Sequence, residues 1–193
     1  MEAITLDADY QGRRVRFNAS LGKARVTMQV DVGIGDVVYP APIWIDYPVL
    51  LDQPAPHLLA YTPENTIAEK YQAIVDLDKA NSRMKDFHDI WALARNLDFD
   101  GEKLSEAIRR TFERRKTELP ESIPTAFTPE FYEDKTKQTQ WQAFLKKVHL
   151  LKEEASLADV AKVLSEFLMP LTKSIISRRS FKARWSSGGP WTE

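Results

Sequence analysis

Cysteine is absent from all 193 residues. That excludes a disulfide framework, thiolate zinc sites and a cysteine nucleophile, and it fits a reducing compartment. An excess of charge of either sign is missing too. The 27 basic and 28 acidic residues leave a formal net charge of −1, so the chain as a whole is not a polyelectrolyte suited to coating nucleic acid or an anionic membrane, and any such contact must be local. The three histidines, His57, His88 and His149, have no metal-ligand spacing with one another. His88 is expected on the outward side of its helix. No apolar run approaches membrane-spanning length, and the start "MEAITLDADYQGRRVRF" lacks the charged-then-apolar order of an export signal. The expectation is a cytoplasmic protein with no membrane contact. Ser82, Ser165 and Ser174 stand outside any nucleophile turn, which leaves a hydrolase without support. Internal repeats and low-complexity tracts are also lacking.

What is present, 43% hydrophobic and 28% charged residues, suits one ordinary domain or a small domain with an appendage. From Ala3 to about Tyr47 the apolar residues alternate or come in bursts, "AITLD", "RRVRFNAS", "KARVTMQVDVG" and "DVVYPAPIWIDYP", which predicts strands with turns at "YQG" and "SLG". In "ARVTMQVDV", Val26, Met28 and Val30 share one face and Arg25, Thr27, Gln29 and Asp31 the other, the pattern of a half-buried strand. The proline-rich "DQPAPHLLAYTPE" marks the passage from sheet to helices. Helices are predicted at about 64–79, 83–97, 101–118, 128–151 with a possible break, and 156–177, the last carrying Pro170 as a kink. The fold expected is α+β, a mixed or antiparallel sheet over 1–60 followed by a helical region over 61–193.

Two of these helices carry charges where apolar residues should close their contact. Thr62 is a predicted N-cap with Pro63 at the first helical position. From there Ile67, Tyr71, Ile74 and Val75 form one apolar stripe, and Lys70 falls at its edge. The next helix, with Ser82 as candidate N-cap, is expected to bury Phe87, Ile90, Trp91, Ala94 and Leu97. Asp86 falls inside that apolar face, Asp89 at its edge and Lys85 opposite. A carboxylate on a core-facing stripe costs several kcal/mol unless it is paired, metal-bound or open to a wet cleft. Lys70 and Arg83 are the nearest cations. The spacing is compatible with a structural ion pair locking the two helices and equally with an active cleft.

The runs "VDVGIGDVV", "YTPENTIAEKYQAIV" and "NSRMKDFHDIWAL", and downstream "FTPEFYEDKTKQTQWQAFLKK", "FLMP" and "GGPW", resemble the AbiEii/AbiGii toxin family of abortive-infection and type IV toxin–antitoxin systems. The resemblance implies a partial nucleotidyltransferase-like core followed by a helical region. It also implies transfer of a nucleotide from a nucleoside triphosphate to an acceptor such as tRNA, with magnesium as cofactor. Lys70 would contact nucleotide phosphates and Asp86 would act in the active cleft, with Arg83, Lys85 and Asp89 as nucleotide-binding neighbours. A cognate antitoxin is the partner implied.

The chain departs from that family in one respect. A Gly-Ser or Gly-Gly turn at the start of a helix, followed by a strand carrying an Asp-x-Asp pair, is expected, because paired carboxylates hold the divalent ions that bridge the phosphates. The triplets present, Asp7-Ala8-Asp9, Asp76-Leu77-Asp78 and Asp98-Phe99-Asp100, fall at a turn, a helix end and a helix connection, and none fits. The expectation is a chain that starts inside the family domain. Asp31, with Asp36, is then a candidate metal ligand, or both are solvated residues of a strand end and glycine turn. A catalytically incomplete fragment serving as a partner-binding module is the alternative function, and an exposed strand edge would favour a homodimer. "RRTFERRK" and the tail cations Arg178, Arg179, Lys182 and Arg184 with Phe181 and Trp185 are two basic stretches that could meet a polyanion or simply be solvated. Trp141, Phe144, Leu145 and Val148 are expected to be helix core.

Overall fold

The computed structural model describes residues 2–7, 10–148 and 155–193, giving backbone only for residues 2–7, 10 and 11. His149, Ala8 and Asp9 of the triplet that begins at Asp7, and the end of the helix expected over 128–151 lie outside the described residues. The chain divides into two compact units, Met1–Val37 and Val38–Glu193.

The first unit is an antiparallel meander of β1 (Glu2–Asp7), β2 (Tyr10–Leu21) and β3 (Ala24–Ile34). Gly22, at φ +60°, opens the two-residue turn between β2 and β3, a position where a left-handed first residue matches the strand twist. The register sets Val15 against Val30, Phe17 against Met28 and Ala19 against Val26. Neighbours on the opposite face include Asn18 with Thr27 and Arg14 with Asp31. The alternation is therefore as the sequence dictates, but its burial is not. Every residue of β3 is exposed, Val26, Met28 and Val30 included.

The second unit opens with a short hairpin, β4 (Ile43–Asp46) and β5 (His57–Ala60). β5 falls inside the proline-rich stretch read as a boundary. Then come α1 (Pro63–Leu77), α2 (Met84–Asn96), the two-residue β6 (Phe99–Asp100), α3 (Gly101–Arg114), α4 (Pro129–Tyr132), α5 (Lys135–Lys147) and α6 (Leu157–Ile176). The chain ends in β7 (Arg184–Trp185) and β8 (Trp191–Thr192), which extend β6 into a three-stranded antiparallel sheet. Among the described residues no helix is long and apolar enough to cross a membrane.

Helix boundaries follow local chemistry. Thr62 caps α1 through its hydroxyl, and Pro63 occupies the first turn, where its missing N–H costs nothing. Asn65 then fixes the approach to α1: its Oδ1 accepts from the Tyr39 N–H at 2.7 Å and its Nδ2 donates to the Pro40 carbonyl at 2.9 Å. A reciprocal capping box of Ser156 and Asp159 starts α6, which runs through Pro170 as one helix. Ser82 does not cap α2. Arg83 occupies that position without a side-chain bond, and Asn81 Oδ1 takes the Arg83 N–H instead. α3 ends at Arg114 rather than near 118, and a break at Glu133–Asp134 divides α4 from α5.

The core of this unit is one cluster in which Val160, Leu164, Phe167, Leu168 and Leu171 of α6 are joined by Phe87, Ile90 and Ala94 of α2 and Leu104, Ile108 and Phe112 of α3, which pack on α6, and by Ile67, Tyr71 and Ile74 of α1, which packs on α2 and α3. Each such side chain contributes about 1.5–3 kcal/mol on leaving water. Tyr71 is wholly buried and its hydroxyl bonds Thr172 Oγ1 at 2.9 Å. Burial pushes its pKa up to about 12 even though the Thr172 bond pulls the other way. Leu97 and Val148, expected in the core, are exposed. The tail is held by two indoles: Trp185 Nε1 donates to the Ala94 carbonyl at 2.7 Å and Trp191 Nε1 to the Phe167 carbonyl at 2.9 Å.

Gly101 marks where the tail presses closest. A Cβ there would lie 2.5 Å from Phe181 Cδ1 and 2.6 Å from the Phe181 and Ala183 carbonyls, which as backbone cannot swing aside. Gly101→Ala is expected to lower the unfolding free energy by about 1–3 kcal/mol through overpacking. Urea denaturation measures it, and an unchanged midpoint would show that the tail does not pack as described.

Candidate functional site

The inward charges meet. Lys70 projects from the middle of α1 beside Ile67 and Ile74, and Asp86 and Asp89 stand one turn apart at the start of α2. Lys70 Nζ donates to Asp86 Oδ1 at 2.7 Å and lies 2.7 Å from Asp89 Oδ2. Lys85 Nζ reaches the same Asp89 oxygen from the solvent side at 2.6 Å, while Arg83 Nη1 stands 4.0 Å from Asp86 Oδ2. Side-chain exposure falls from 70% at Lys85 to 26% at Asp89, 17% at Lys70 and 13% at Asp86. A lysine bridging two carboxylates at this depth is more than a surface pair, because water screens it poorly.

Electrostatics follow from that depth. Burial alone would lower the Lys70 pKa, but the hydrogen bonds it donates to Asp86 and Asp89 outweigh that and hold the ammonium pKa above its ordinary value. Burial likewise works against the Asp89 carboxylate, and the bonds from Lys70 and Lys85 overcome it to hold that pKa below normal. The stabilisation from Asp89 is therefore present above the ordinary aspartate pKa of 3.8 and lost as pH falls through its lowered value. That from Lys70 is present below the ordinary lysine pKa of 10.5 and lost as pH rises through its raised value.

An open cavity of about 530 Å³ adjoins the cluster, lined by Arg83, Lys85 and Asp86 from α2 and its approach, and by Gln140, Phe144 and Lys147 from α5. That volume is of ligand size. Gln140 Oε1 is buried there without a hydrogen-bond partner. Asn81, fully buried before α2, spends its Oδ1 on the Arg83 N–H and its carbonyl on Lys137 Nζ, which leaves Nδ2 unpartnered. Sequence reasoning passed over Asn81, Gln140 and Lys147. An asparagine closing a turn and a glutamine on a helix look ordinary until burial is known. His88, expected outward, instead packs its ring 5.5–6.3 Å from Trp91, Trp141 and Phe144 between α2 and α5.

Asp31 belongs to the other unit and is held by Arg14 in a two-pronged contact of 2.8 and 2.9 Å, with Gln29 Nε2 at 3.1 Å. The Arg14 hydrogen bond is the main cause of its lowered pKa. Asp36 follows the end of β3 and is half-buried. Among the described residues no group of three or more His, Cys, Asp or Glu side chains converges as a metal-ligand set. Lys70 engages Asp86 and Asp89, and Arg14 engages Asp31, so these residues do not by themselves fit a magnesium cage.

The family model described as nucleotidyl transferase AbiEii toxin, type IV TA system, matches residues 1–166. No curated protein and no solved structure matches the chain.

Removing the lysine leaves Asp89 with the exposed Lys85 and Asp86 with the exposed Arg83 at 4.0 Å. Lys70→Met is expected to cost about 2 kcal/mol at pH 7, below the 3–5 typical of a fully buried pair because the cluster is partly wet. The cost should shrink at pH 3, below the ordinary aspartate value, as the wild-type protein loses the Asp89 contribution. Urea unfolding of both proteins at the two pH values measures this. A difference that stays constant would assign the loss to packing alone.

Proposed function

Because the chain belongs to the AbiEii nucleotidyl transferase toxin family of type IV toxin–antitoxin systems, we propose that its charged cluster and cavity form the nucleotide end of a transferase site. The reaction is transfer of a nucleotide from a nucleoside triphosphate to an acceptor such as tRNA. The observation that carries this reading is Asp86, which takes a hydrogen bond from Lys70 and also lines a ligand-sized cavity whose rim supplies Arg83, Lys85 and Lys147.

In nucleotidyl transfer an acceptor oxygen bonds the α-phosphorus as the bond to the pyrophosphate oxygen breaks, and negative charge grows on the leaving group. The polyphosphate is met first by the exposed cations Arg83, Lys85 and Lys147. Lys70 reaches a phosphate only by exchanging a carboxylate for it, an exchange of one anion for another that keeps the ammonium paired. Asp86 then orients the lysine. The apolar sides of Met84 and Phe144 give the cavity a surface for a base or sugar. A divalent ion supplies charge neutralisation along the phosphates in such transfers. The described carboxylates do not assemble its ligand set, so slow transfer is expected.

A second reading keeps the fold and drops the chemistry, with the chain as a partner-binding module. The exposed apolar face of Phe17, Met28 and Val30 favours it, since contiguous apolar surface marks interaction sites, a homodimer among them.

Incubation with α-labelled nucleoside triphosphates, magnesium and total tRNA tests the transferase. Slow incorporation is expected, reduced at least tenfold in Lys70→Ala and Asp86→Ala, with nucleotide affinity weakened in both. If both variants lose stability while nucleotide affinity and labelling stay as in the wild type, the cluster is a structural lock between α1 and α2.

A further inference from the structure

The charge of the chain is segregated. Residues 167–193 contain five basic side chains, Lys173, Arg178, Arg179, Lys182 and Arg184, and one acidic, Glu193, whereas the preceding 166 residues carry a net −5. The segregation begins where the family match ends. All five cations are exposed, and none forms an ion pair among the described residues. Arg184 faces Asp100 across the β6–β7 register, which offsets it in part, although Asp100 also caps α3 through the Lys103 N–H. The arginines of "RRTFERRK" form a contrast. Arg109 is held by Glu106 and Glu113, and Arg110 by Glu106.

The tail cations are also fixed in place. At the end of α6 the Arg178 N–H bonds the Ile175 carbonyl and the Arg179 N–H the Ser174 carbonyl, a closing turn whose left-handed residue is usually glycine. Here it is Arg178, at φ +53°, a conformation that side chains adopt at a steric cost. Beyond it, Ser180 bonds Glu102, the Ala183 carbonyl accepts from the Gly101 N–H, and Trp185 anchors to α2. From Lys173 to Lys182 the chain spans at most roughly 25 Å, reckoned at helical and extended rises, a distance over which a nucleic-acid strand presents several phosphates. A cation near a helix C-terminus offsets the helix dipole, a role open to Lys173 in the last turn but not to Lys182, six residues past the end of α6.

We propose that Lys173, Arg178, Arg179 and Lys182 form a preordered docking surface for the phosphate backbone of a nucleic acid. Arginine's planar fork matches phosphate oxygens in pairs. Between Lys173 and Lys182 the one exposed large apolar side chain is Ile176, too little for the apolar face with which a basic segment enters a lipid surface. The surface does not require that the chain transfer nucleotides, and its test is run without nucleotide.

Binding of the full chain to a fluorescein-labelled RNA hairpin is followed by anisotropy from 50 to 200 mM NaCl, with a duplex DNA of equal length as the second arm. The affinity is expected to fall with salt. In Lys173→Gln/Arg178→Gln/Arg179→Gln/Lys182→Gln it should drop at least tenfold at 100 mM, with the slope of log K against log salt shallower by about 3–4. Arg109→Gln/Arg110→Gln should change neither. Arg178→Gly separates docking from folding, because it should melt no lower than the wild type while binding more weakly. The proposal is overturned if the wild type does not bind, if the fourfold variant binds as the wild type does, or if polyglutamate competes as well as RNA. The last result would assign the surface to an acidic protein.

Discussion

Burial of α6 is the constraint on which the larger unit depends. Its apolar stripe is covered by α2 and α3, and α1 packs across those two helices and reaches α6 through the Tyr71–Thr172 hydrogen bond. Once α2 and α3 are both committed to α6, the seat they offer α1 is fixed, and the mutual orientation of α1 and α2 is no longer free. Lys70 and Asp86, sixteen residues apart in sequence, are then brought to 2.7 Å with most of the ordering entropy already met by core formation. The charged cluster is a by-product of apolar packing in its position, though not in its chemistry.

Much of this was legible in the sequence, and for physical reasons. The periodicity of α1 and α2 is strong, so the inward phase of Lys70 and Asp86 could be read from spacing, and Thr62 and Pro63 carry their capping signal within four residues. What escaped depends on contacts distant in the chain. β7 and β8 have two residues each, too few for any period, and exist because Trp185 and Trp191 find carbonyls on α2 and α6. His88 was placed outward by helical phase alone, yet α5 supplies aromatic rings on that side. Asn81 displaced Ser82 as the group closing the entry to α2, since an asparagine two residues ahead of an N–H competes well with a serine.

The smaller unit shows the opposite limit. Pairing and register of β2 and β3 follow from the sequence over eleven residue pairs, because alternation and a glycine turn specify them locally. Alternation predicts only that two faces differ, not that one of them is covered. The polar face is tied by Arg14, Asp31 and Gln29, and the apolar face of Phe17, Met28 and Val30 stays in contact with solvent. A strand with both faces wet draws its stability from backbone pairing and cross-strand contacts, each worth about 0.2–1 kcal/mol.

Asn65 has a mechanical consequence. It grips the backbone of Tyr39 and Pro40 at two points and also donates to the Thr62 hydroxyl that caps α1. Tension arriving along the chain from residue 38 is therefore delivered to the first turn of α1 before it reaches β4 or β5. The cap and the strap share one side chain, so a pull strong enough to free residues 39 and 40 would also fray the helix that carries Lys70, five residues further on. The hairpin between them would remain slack, a spare length of chain outside the line of force.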